Sequence, residues 1–251
     1  MSSKIALITG GTSGIGRACA ELYLENHFKV IITGRRLDRL AEFKSRYEEG
    51  RVHVLCFDIR NEEQVIESLN SLPNEWKNID VLVNNAGLAL GLSRFFDGNS
   101  QHWDSMLDTN VKGLLYVSKV VANGMKQSKK GHIVNIGSIA GKEVYMNGNV
   151  YCASKHAVDA LTQAMRIELA EFNVRVSAVH PGAVDTEFSE VRFEGNKEKA
   201  DQVYVGFENL IAEDIADAVY YITSRKLHVN INDLVIMPTA QPKASIIHRK
   251  G

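Results

Sequence analysis

Tyr151 and Lys155 stand four residues apart in the segment Tyr-Cys-Ala-Ser-Lys. On a helix, residues at this spacing share a face, so the two side chains lie close together. A lysine ammonium beside a phenol favours the phenolate and lowers its pKa from about 10, as general acid–base catalysis requires. Tyr–Lys pairs at this spacing are also common on solvated helix faces, so the rest of the chain decides the meaning of this pair.

A glycine-rich turn follows the first apolar segment of the chain. Its sequence, Thr9-Gly-Gly-Thr-Ser-Gly-Ile-Gly16, precedes a segment with apolar residues at helical spacing. Glycines let the chain turn sharply and let backbone amides approach a pyrophosphate, and the next helix directs its N-terminal dipole at the anion. A glycine triplet alone could be a simple turn. Between a buried strand and a helix, it predicts a dinucleotide-binding site.

The second apolar segment ends in Thr33-Gly-Arg-Arg36, with no acid before Asp38. Sites that prefer NAD usually carry an acid here, which binds the ribose 2′-hydroxyl and would repel a 2′-phosphate. Two arginines can instead bind the phosphate through charge-assisted hydrogen bonds. A solvated basic helix start is the alternative, but cations at a helix N-terminus oppose its dipole unless an anion is near. The pair predicts NADP rather than NAD.

Short apolar segments alternate with longer helical patterns along the chain. The predicted strands are Lys4–Thr9, Phe28–Thr33, Val52–Phe57, Ile79–Val83, Gly131–Ile136, Val174–Val179 and Asp233–Met237. This alternation predicts right-handed βαβ units and a doubly wound, Rossmann-like parallel sheet in a three-layer α/β fold. No linker interrupts the pattern, so we expect one domain over residues 1–251. Ligands of such sheets bind beyond the carboxyl ends of the strands.

Several motifs in these positions resemble those of the short-chain dehydrogenase/reductase family over residues 5–186. The first turn has the TGxxxGxG spacing, Asn84–Gly87 resembles the NNAG motif, and His180–Thr186 resembles the PGxVxT segment. The catalytic tetrad of the family is matched by Asn110, Ser138, Tyr151 and Lys155.

The resemblance implies hydride transfer between NADP(H) and a small hydroxy or carbonyl compound. Tyr151 would donate and accept the proton, and Ser138 would hydrogen-bond the substrate oxygen. Lys155 would lower the pKa of Tyr151 and hold the nicotinamide ribose, and Asn110 would position Lys155 through water. The residues expected to contact NADP are Gly10, Thr12, Ser13, Gly14, Ile15, Gly16, Arg35, Arg36, Asp58, Ile59, Asn84, Asn85, Ala86, Gly87, Tyr151, Lys155, Pro181, Gly182, Val184 and Thr186. Asp58 would contact adenine or, alternatively, cap the next helix.

The segment Phe188–Phe193 resembles a subgroup of the family that oxidises short 3-hydroxy acids, including serine-like compounds. Arg192 could then bind the substrate carboxylate bidentately, and a surface arginine is the alternative. The polar segment at about 187–211 would cover the substrate. The polar tail, at about 239–251, is expected to be disordered or docked on another subunit. A broader carbonyl or 3-oxoacyl reductase and a non-catalytic NADP-binding regulator stay open as alternatives.

The composition argues against several classes of partner. Lys and Arg number 29 and Asp and Glu number 30, so the net charge of -1 gives no global attraction to nucleic acid or an anionic membrane. No apolar run is long enough to cross a bilayer, and no signal peptide is expected before the first strand. Cys19, Cys56 and Cys152 are far apart, so we expect no metal site and no disulfide, with Cys19 and Cys56 buried.

Free thiols suit a reducing compartment, and we therefore expect a cytoplasmic protein. The family resemblance further implies a homotetramer, with helices at about 99–123 and 149–172 at its interfaces. The expected partners are a small-molecule substrate and further copies of the chain, and neither nucleic acid nor a membrane.

Overall fold

The computed structural model describes residues 3–250. Within this range, parallel strands form one seven-stranded sheet in the order β3-β2-β1-β4-β5-β6-β7. The strands are β1 Ile5–Thr9, β2 Lys29–Gly34, β3 Val52–Cys56, β4 Val81–Asn84, β5 Gly131–Ile136, β6 Val174–Pro181 and β7 Asp233–Ile236. The α-helices are α1 Gly14–Glu25, α2 Leu37–Ser45, α3 Glu62–Asn70, α4 Ser100–Leu107, α5 Leu114–Ser128, α6 Asn149–Leu169, α7 Phe188–Arg192, α8 Lys197–Gln202 and α9 Ala212–Thr223.

Helices cover both faces of the sheet. Successive side chains of a strand point to opposite faces, so Ala6 and Ile8 of β1 pack with α1, α2 and α9, whereas Ile5 and Leu7 pack with α3, α5 and α6. Burial on both faces explains why the strands read as continuous apolar segments. The predicted three-layer, doubly wound α/β fold with a parallel sheet is confirmed.

The strand order reverses beside β1. The chain moves from β1 through β2 to β3 on one side, and then crosses back to place β4 on the other side of β1. A crevice forms at such a reversal, outside the carboxyl ends of the strands, and ligands bind there. The carboxyl ends of β1, β2, β4 and β5 carry the glycine turn, the arginine pair, the Asn-Asn-Ala-Gly motif and Ser138.

Local backbone conformations shift some element bounds by a few residues. His27 adopts a left-handed conformation with a φ of 65° after α1, so β2 begins at Lys29 rather than at Phe28. Arg36 is the extended N-cap of α2, which therefore begins at Leu37. The helix expected at about 99–123 continues to Ser128 and contains a π-helical segment, Asp108–Gly113, between α4 and α5.

The expected burial of Cys56 was wrong, and the tail is ordered, so of the two expectations for the tail only docking on another subunit stays a prediction. Cys56 is exposed, because it ends β3 at the edge of the sheet, whereas Cys19 is buried as expected. The tail packs on its own chain: Gln241 is buried and accepts a hydrogen bond from the backbone NH of Ala183. Arg249 donates hydrogen bonds to the carbonyls of Val203 and Val205. Among residues 3–250, no helix combines the length and apolarity needed to span a membrane.

Candidate active site

A cleft of about 320 Å³ opens at the carboxyl ends of the strands. It brings together the predicted residues Gly10, Thr12, Ser13, Gly14, Ile15, Arg35, Arg36, Asp58, Ile59, Asn85, Ala86, Gly87, Ser138, Tyr151, Lys155, Pro181, Gly182, Val184 and Thr186. Segments separated by as many as 176 positions, from Gly10 to Thr186, therefore meet in one site. Four of the predicted site residues lie outside this cleft, each in a different environment: Gly16, Asn84, Asn110 and Arg192.

The glycine turn narrows the distance between β1 and the loop after β4. Gly10 and Gly14 have φ values of +65° and +50°, a region that side-chain-bearing residues rarely adopt. A Cβ at Gly10 would lie 3.1 Å from the Cα of Ala86, and one at Gly14 would lie 3.3 Å from Thr186. The turn therefore needs glycine for both conformation and space.

Gly16 has a packing role rather than a place in the cleft. A Cβ on this residue would lie 2.4 Å from both the Asn85 amide nitrogen and the Gly10 carbonyl oxygen. This contact lets the first turn of α1 pack against the loop after β4. Gly16 therefore allows close packing of the two loops that form the cleft, and its contact with the cofactor stays a prediction.

The arginine pair after β2 is exposed and lines the cleft. Arg36 donates a hydrogen bond of 3.5 Å to the Thr12 hydroxyl and lies 3.6 Å from the Glu187 carboxylate. Arg39 pairs with the same carboxylate at 2.8 Å. Glu187 thus joins the start of α2 to the start of α7 beside the cleft, a role that its isolated position in the sequence did not predict.

Asp58 lines the cleft but is already engaged by a neighbour. Both of its carboxylate oxygens accept hydrogen bonds from the Arg60 guanidinium, which holds the pKa of Asp58 below its usual value. The helix-capping alternative is wrong, because Asn61 caps α3 by accepting a hydrogen bond from the backbone NH of Gln64.

Asn84 lies inside the sheet rather than in the cleft. It is buried, and its amide nitrogen donates hydrogen bonds of 2.8 Å to Ser118 on α5 and to Asn135 on β5. Asn135 in turn donates to Thr162 on α6. This buried polar network joins β4 to both helices and so steadies the sheet, while the contact of Asn84 with the cofactor stays a prediction. Buried amides are stable only when such partners exist.

Asn85 and Ala86, the next residues, do line the cleft. Their backbone NH groups both donate to the Thr9 hydroxyl at 3.0 Å, and the Asn85 amide donates to the carbonyls of Thr9 and Gly10. These hydrogen bonds fix the loop after β4 against the glycine turn. The motif thus shapes the cleft through its backbone.

Tyr151 is buried on the first turns of α6, where the side chain meets the cleft. Burial raises the pKa of its phenol to about 12, and the nearby Arg192 guanidinium and the Ser138 side chain oppose this rise. Ser138 is the N-cap of a short 3₁₀ turn after β5, and its oxygen accepts from the backbone NH of Ala140. The phenol and the serine side chain therefore line the same part of the cleft.

Lys155 lies one turn further along α6 and is also buried. Its ammonium donates a hydrogen bond of 2.9 Å to the Ile136 carbonyl and lies 6.0 Å from the Tyr151 ring centroid. Burial lowers the pKa of Lys155 to about 8. The Arg192 guanidinium also lowers the pKa of Tyr151, which the sequence did not predict, and the predicted effect of Lys155 on the phenol stays a prediction.

Asn110 is placed by the π-helical segment. The extra residue in that turn directs the buried side chain toward the loop after β4, where its amide exchanges two hydrogen bonds of 2.8 Å with the backbone of Leu88. The amide also donates to Ser154. A Cβ at Gly87 would lie 3.2 Å from the Asn110 oxygen and 3.6 Å from the Lys155 ammonium, so this glycine leaves open the space between them.

His180, at the end of β6, belongs to a charged cluster behind Ser138. The imidazole is buried, makes a 3.1 Å hydrogen bond with Asp233 and lies 3.4 Å from the Ser138 carbonyl. Asp159 completes a His–carboxylate group of the kind that can bind metal ions. The Lys142 ammonium lies 2.7 Å from Asp159, so this cluster already contains a cation.

Arg192 ends α7 and lines a small cavity of about 20 Å³ that it shares with Tyr151. Its guanidinium carbon lies 4.9 Å from the Tyr151 ring centroid and 5.3 Å from that of Phe188. One terminal nitrogen donates a 3.1 Å hydrogen bond to the Tyr145 hydroxyl, and the Nε is buried with no partner among residues 3–250. Tyr145 lies in a loop without periodicity, so no sequence signal singled it out.

The comparisons with known proteins agree with this geometry. The family model described as short chain dehydrogenase matches residues 4–197. The chain is 43% identical over 248 residues to the NADP-dependent 3-hydroxy acid dehydrogenase YdfG of Escherichia coli strain K12, covering 98% of this chain and 100% of that protein. It is 40% identical to the NADP-dependent 3-hydroxy acid dehydrogenase of Schizosaccharomyces pombe, covering 100% of this chain and 98% of that protein.

Among solved structures, the closed form of serine dehydrogenase complexed with NADP+ superposes with a TM-score of 0.94. The two chains are 43% identical, and the match covers 98% of this chain and 100% of the other. The fold, the glycine turn, the buried Tyr–Ser–Lys group and the extent of these matches lead to one conclusion. The chain belongs to the short-chain dehydrogenase family.

Proposed function

We propose that the chain is an NADP-dependent oxidoreductase that interconverts a short 3-hydroxy acid and the corresponding 3-oxo acid. The observation that carries this proposal is that Tyr151, Ser138 and Lys155 together line the wall of the cleft that the glycine turn shapes, with Tyr151 and Lys155 buried. The relatives named as NADP-dependent 3-hydroxy acid dehydrogenases support the choice of cofactor and substrate class.

The cleft residues fit NADP. Gly10 and Gly14 leave a cradle that a Cβ would fill, and the N-terminus of α1 begins at the same turn. Arg35 and Arg36 line the cleft after β2 and can bind a 2′-phosphate, and no acid at the end of that strand opposes it. When bound, NADP(H) supplies or accepts the hydride.

The proton is moved by Tyr151. When the substrate carbonyl is reduced, the phenol donates its proton to the substrate oxygen, and in the oxidation direction the phenolate takes the proton back. Ser138 hydrogen-bonds the same oxygen and stabilises the charge that develops there. Lys155 donates a charged hydrogen bond to the ribose of the nicotinamide. The Asn110 amide oxygen borders the space beside Lys155 that Gly87 leaves open.

The substrate carboxylate binds Arg192 in this proposal. The guanidinium lies beside Tyr151, its Nε is buried with no partner among the described residues, and the adjoining cavity has space only for small groups. A buried donor without a partner is costly, and a carboxylate oxygen would remove that cost. The segment at about 187–211, which contains α7 and α8, covers the bound substrate.

Replacing Arg192 with Gln should raise the KM for 3-hydroxybutanoate by about 10- to 100-fold, since a hydrogen bond to a charged group contributes roughly 1.5–3 kcal/mol. The KM for 3-hydroxybutanamide, a neutral analogue of the same shape, should change by less than about threefold. Steady-state kinetics with both compounds measures this. Equal effects on the acid and on the amide would contradict a role in carboxylate binding.

The experiment that tests the proposed function follows NADPH absorbance in purified protein given NADP and a panel of short 3-hydroxy acids, with neutral secondary alcohols alongside. Turnover confined to the acids supports the proposal. Turnover only with neutral alcohols would indicate a broader carbonyl reductase, and turnover with none of them would favour a non-catalytic NADP-binding regulator.

We also propose that the protein is a cytoplasmic homotetramer with helices at about 99–123 and 149–172 at its interfaces. Both regions carry exposed apolar side chains, of which Leu107 is 39% exposed and Ile167 is 79% exposed. Three thiols that form no disulfide suit a reducing compartment. Light scattering after size-exclusion chromatography tests the assembly, and a monomeric mass would overturn it.

A further inference from the structure

Arg192 is fixed from two directions. Its backbone carbonyl accepts a 2.9 Å hydrogen bond from the NH of Gly91, in the segment after β4. The side chain lies over the rings of Tyr151 and Phe188 and donates to the Tyr145 hydroxyl. An unrestrained arginine has many rotamers and loses about 2 kcal/mol of entropy when it is fixed. These contacts therefore pre-arrange the guanidinium before any ligand binds.

Tyr145 is itself held by the loop that leads into α6. The backbone NH of Gly148 donates to its carbonyl at 3.2 Å, and a Cβ at Gly148 would lie 2.4 Å from the ring. Asn147 has a φ of +67°, which turns the loop back on itself. The half-buried ring packs on a cluster that also contains Tyr151. The loop thus presents the Tyr145 hydroxyl to Arg192 from the side of α6.

The hydrogen bond to Tyr145 uses one terminal nitrogen of the guanidinium and leaves the Nε free. The Nε is buried and has no partner within the described residues. A fully buried donor of this kind points to an acceptor that arrives with a ligand. Arg192, Tyr151 and Gly148 line the same small cavity, so the acceptor would approach next to the catalytic phenol.

We infer that Tyr145 is a positioning residue that holds the Arg192 guanidinium beside Tyr151, with the Nε directed to one oxygen of the substrate carboxylate. Tyr145 acts through Arg192 and does not touch the reacting atoms. It thereby sets the preference for an acid over a neutral alcohol of the same shape. This inference rests on the proposed 3-hydroxy acid dehydrogenase activity and adds the residue that determines its substrate class.

The test begins with Tyr145→Phe, which removes the hydroxyl and keeps the ring. The KM for 3-hydroxybutanoate should rise about 10-fold, as expected when a hydrogen bond to a charged group is lost. The KM for 3-hydroxybutanamide and the KM for NADP should stay within about twofold of wild type. Tyr221→Phe is the matched control, because it removes the same group from a half-exposed position on α9 and should change none of these constants.

A double-mutant cycle separates action through Arg192 from a general effect on the fold. If Tyr145 acts through Arg192, the KM of the Tyr145→Phe, Arg192→Gln double variant for the acid equals that of Arg192→Gln alone. Additive effects of the two changes would overturn the inference. Binding of NADP to each variant, followed by protein fluorescence, verifies that the cleft is intact.

Failure of the inference differs from failure of the proposed function. If wild-type protein does not oxidise 3-hydroxybutanoate or any other short 3-hydroxy acid, the proposed function is wrong. If wild type oxidises the acid and Tyr145→Phe has the same KM, the function stands and the role of Tyr145 is wrong. An equal rise of KM for the acid and the amide overturns that role too, because the charge of the substrate would then be irrelevant.

Discussion

At the scale of single residues, Tyr151 depends on two cations of different character. Lys155 is buried beneath Tyr151. Burial lowers the pKa of Lys155, because the charged ammonium is destabilised there. Arg192 lies against the ring, with its guanidinium carbon 4.9 Å from the ring centroid. The sequence spacing predicted the Tyr–Lys pair correctly. The family resemblance had singled out Arg192 as a carboxylate ligand, but spacing could not predict its contact with the Tyr151 ring, since 41 positions separate the two residues.

The phenol of Tyr151 should titrate well above neutral pH in protein without added cofactor. Burial raises its pKa to about 12, so the phenol stays protonated in the folded state at a pH where a free tyrosine ionises. Tyrosinate absorbance of wild type and Tyr151→Phe should therefore coincide from about pH 7 to about pH 10. Titration curves that separate near neutral pH would show that burial does not determine the pKa of Tyr151.

Lys155 should lower the stability of the folded protein. Its pKa falls from 10.5 to about 8 on folding, so the folded state binds fewer protons than the unfolded state between these values. Burial of the ammonium lowers the free energy of unfolding by its full amount below about pH 8, and this effect disappears as the pH rises past 10.5. Lys155→Met should add about 2 kcal/mol at pH 7, after the lost hydrogen bond to Ile136 is deducted.

Thermal unfolding of Lys155→Met and wild type, at pH 7 and at about pH 9.5, measures this effect. The gain in Tm should shrink at the higher pH, and catalysis should be lost at both. A variant that is less stable than wild type at pH 7 would contradict the account, since it would show that the ammonium contributes more through its contacts than its burial costs.

At the scale of elements, loops and helix starts bring the parts of the cleft together. Glu187 precedes α7, yet it pairs with Arg36 and Arg39 at the start of α2. Strands were predictable because apolar segments repeat along the chain, whereas such pairs between loops leave no periodic trace. The π-helical segment at Asp108–Gly113 was missed for a related reason: one extra residue in a turn does not break an apolar pattern.

Glu187→Gln should tighten the binding of NADP. The carboxylate lines the cleft and shares Arg36 with the expected 2′-phosphate, so its removal frees the guanidinium and removes a negative charge. Exposed pairs contribute up to about 1 kcal/mol, which corresponds to a two- to fivefold lower Kd. The Kd for NAD, which lacks the phosphate, should change less. Fluorescence titration measures both, and weaker NADP binding would show instead that the ion pair holds the cleft together.

At the scale of the whole molecule, the reversal of strand order beside β1 decides where the site forms. The cleft lies where the crossover to β4 separates the loops after β1 and β4, and the sequence predicted this from the alternation of strands and helices. Gly16 and Asn84 have structural roles in addition to the cofactor contacts that the motifs predict. Both lie within motifs that form the cleft, but they stabilise it by packing and by buried hydrogen bonds.

The packing of the tail was not predictable from its polar composition. Gln241 is buried because its side-chain oxygen accepts a hydrogen bond from the Ala183 backbone in the loop after β6. A Cβ at Gly182 would lie 2.6 Å from the same oxygen. This polar contact joins the tail to the loop after β6, and such long-range contacts have no local signature in the sequence.

The central claim is that Tyr151 transfers the proton in an NADP-dependent oxidation of a short 3-hydroxy acid. The most direct measurement compares wild type with Tyr151→Phe for NADPH formation from NADP and 3-hydroxybutanoate, after titration shows that both bind NADP equally. The account predicts turnover by wild type and a loss of about 100- to 10,000-fold in kcat for the variant. Equal turnover by the two proteins, or none by wild type, would contradict it.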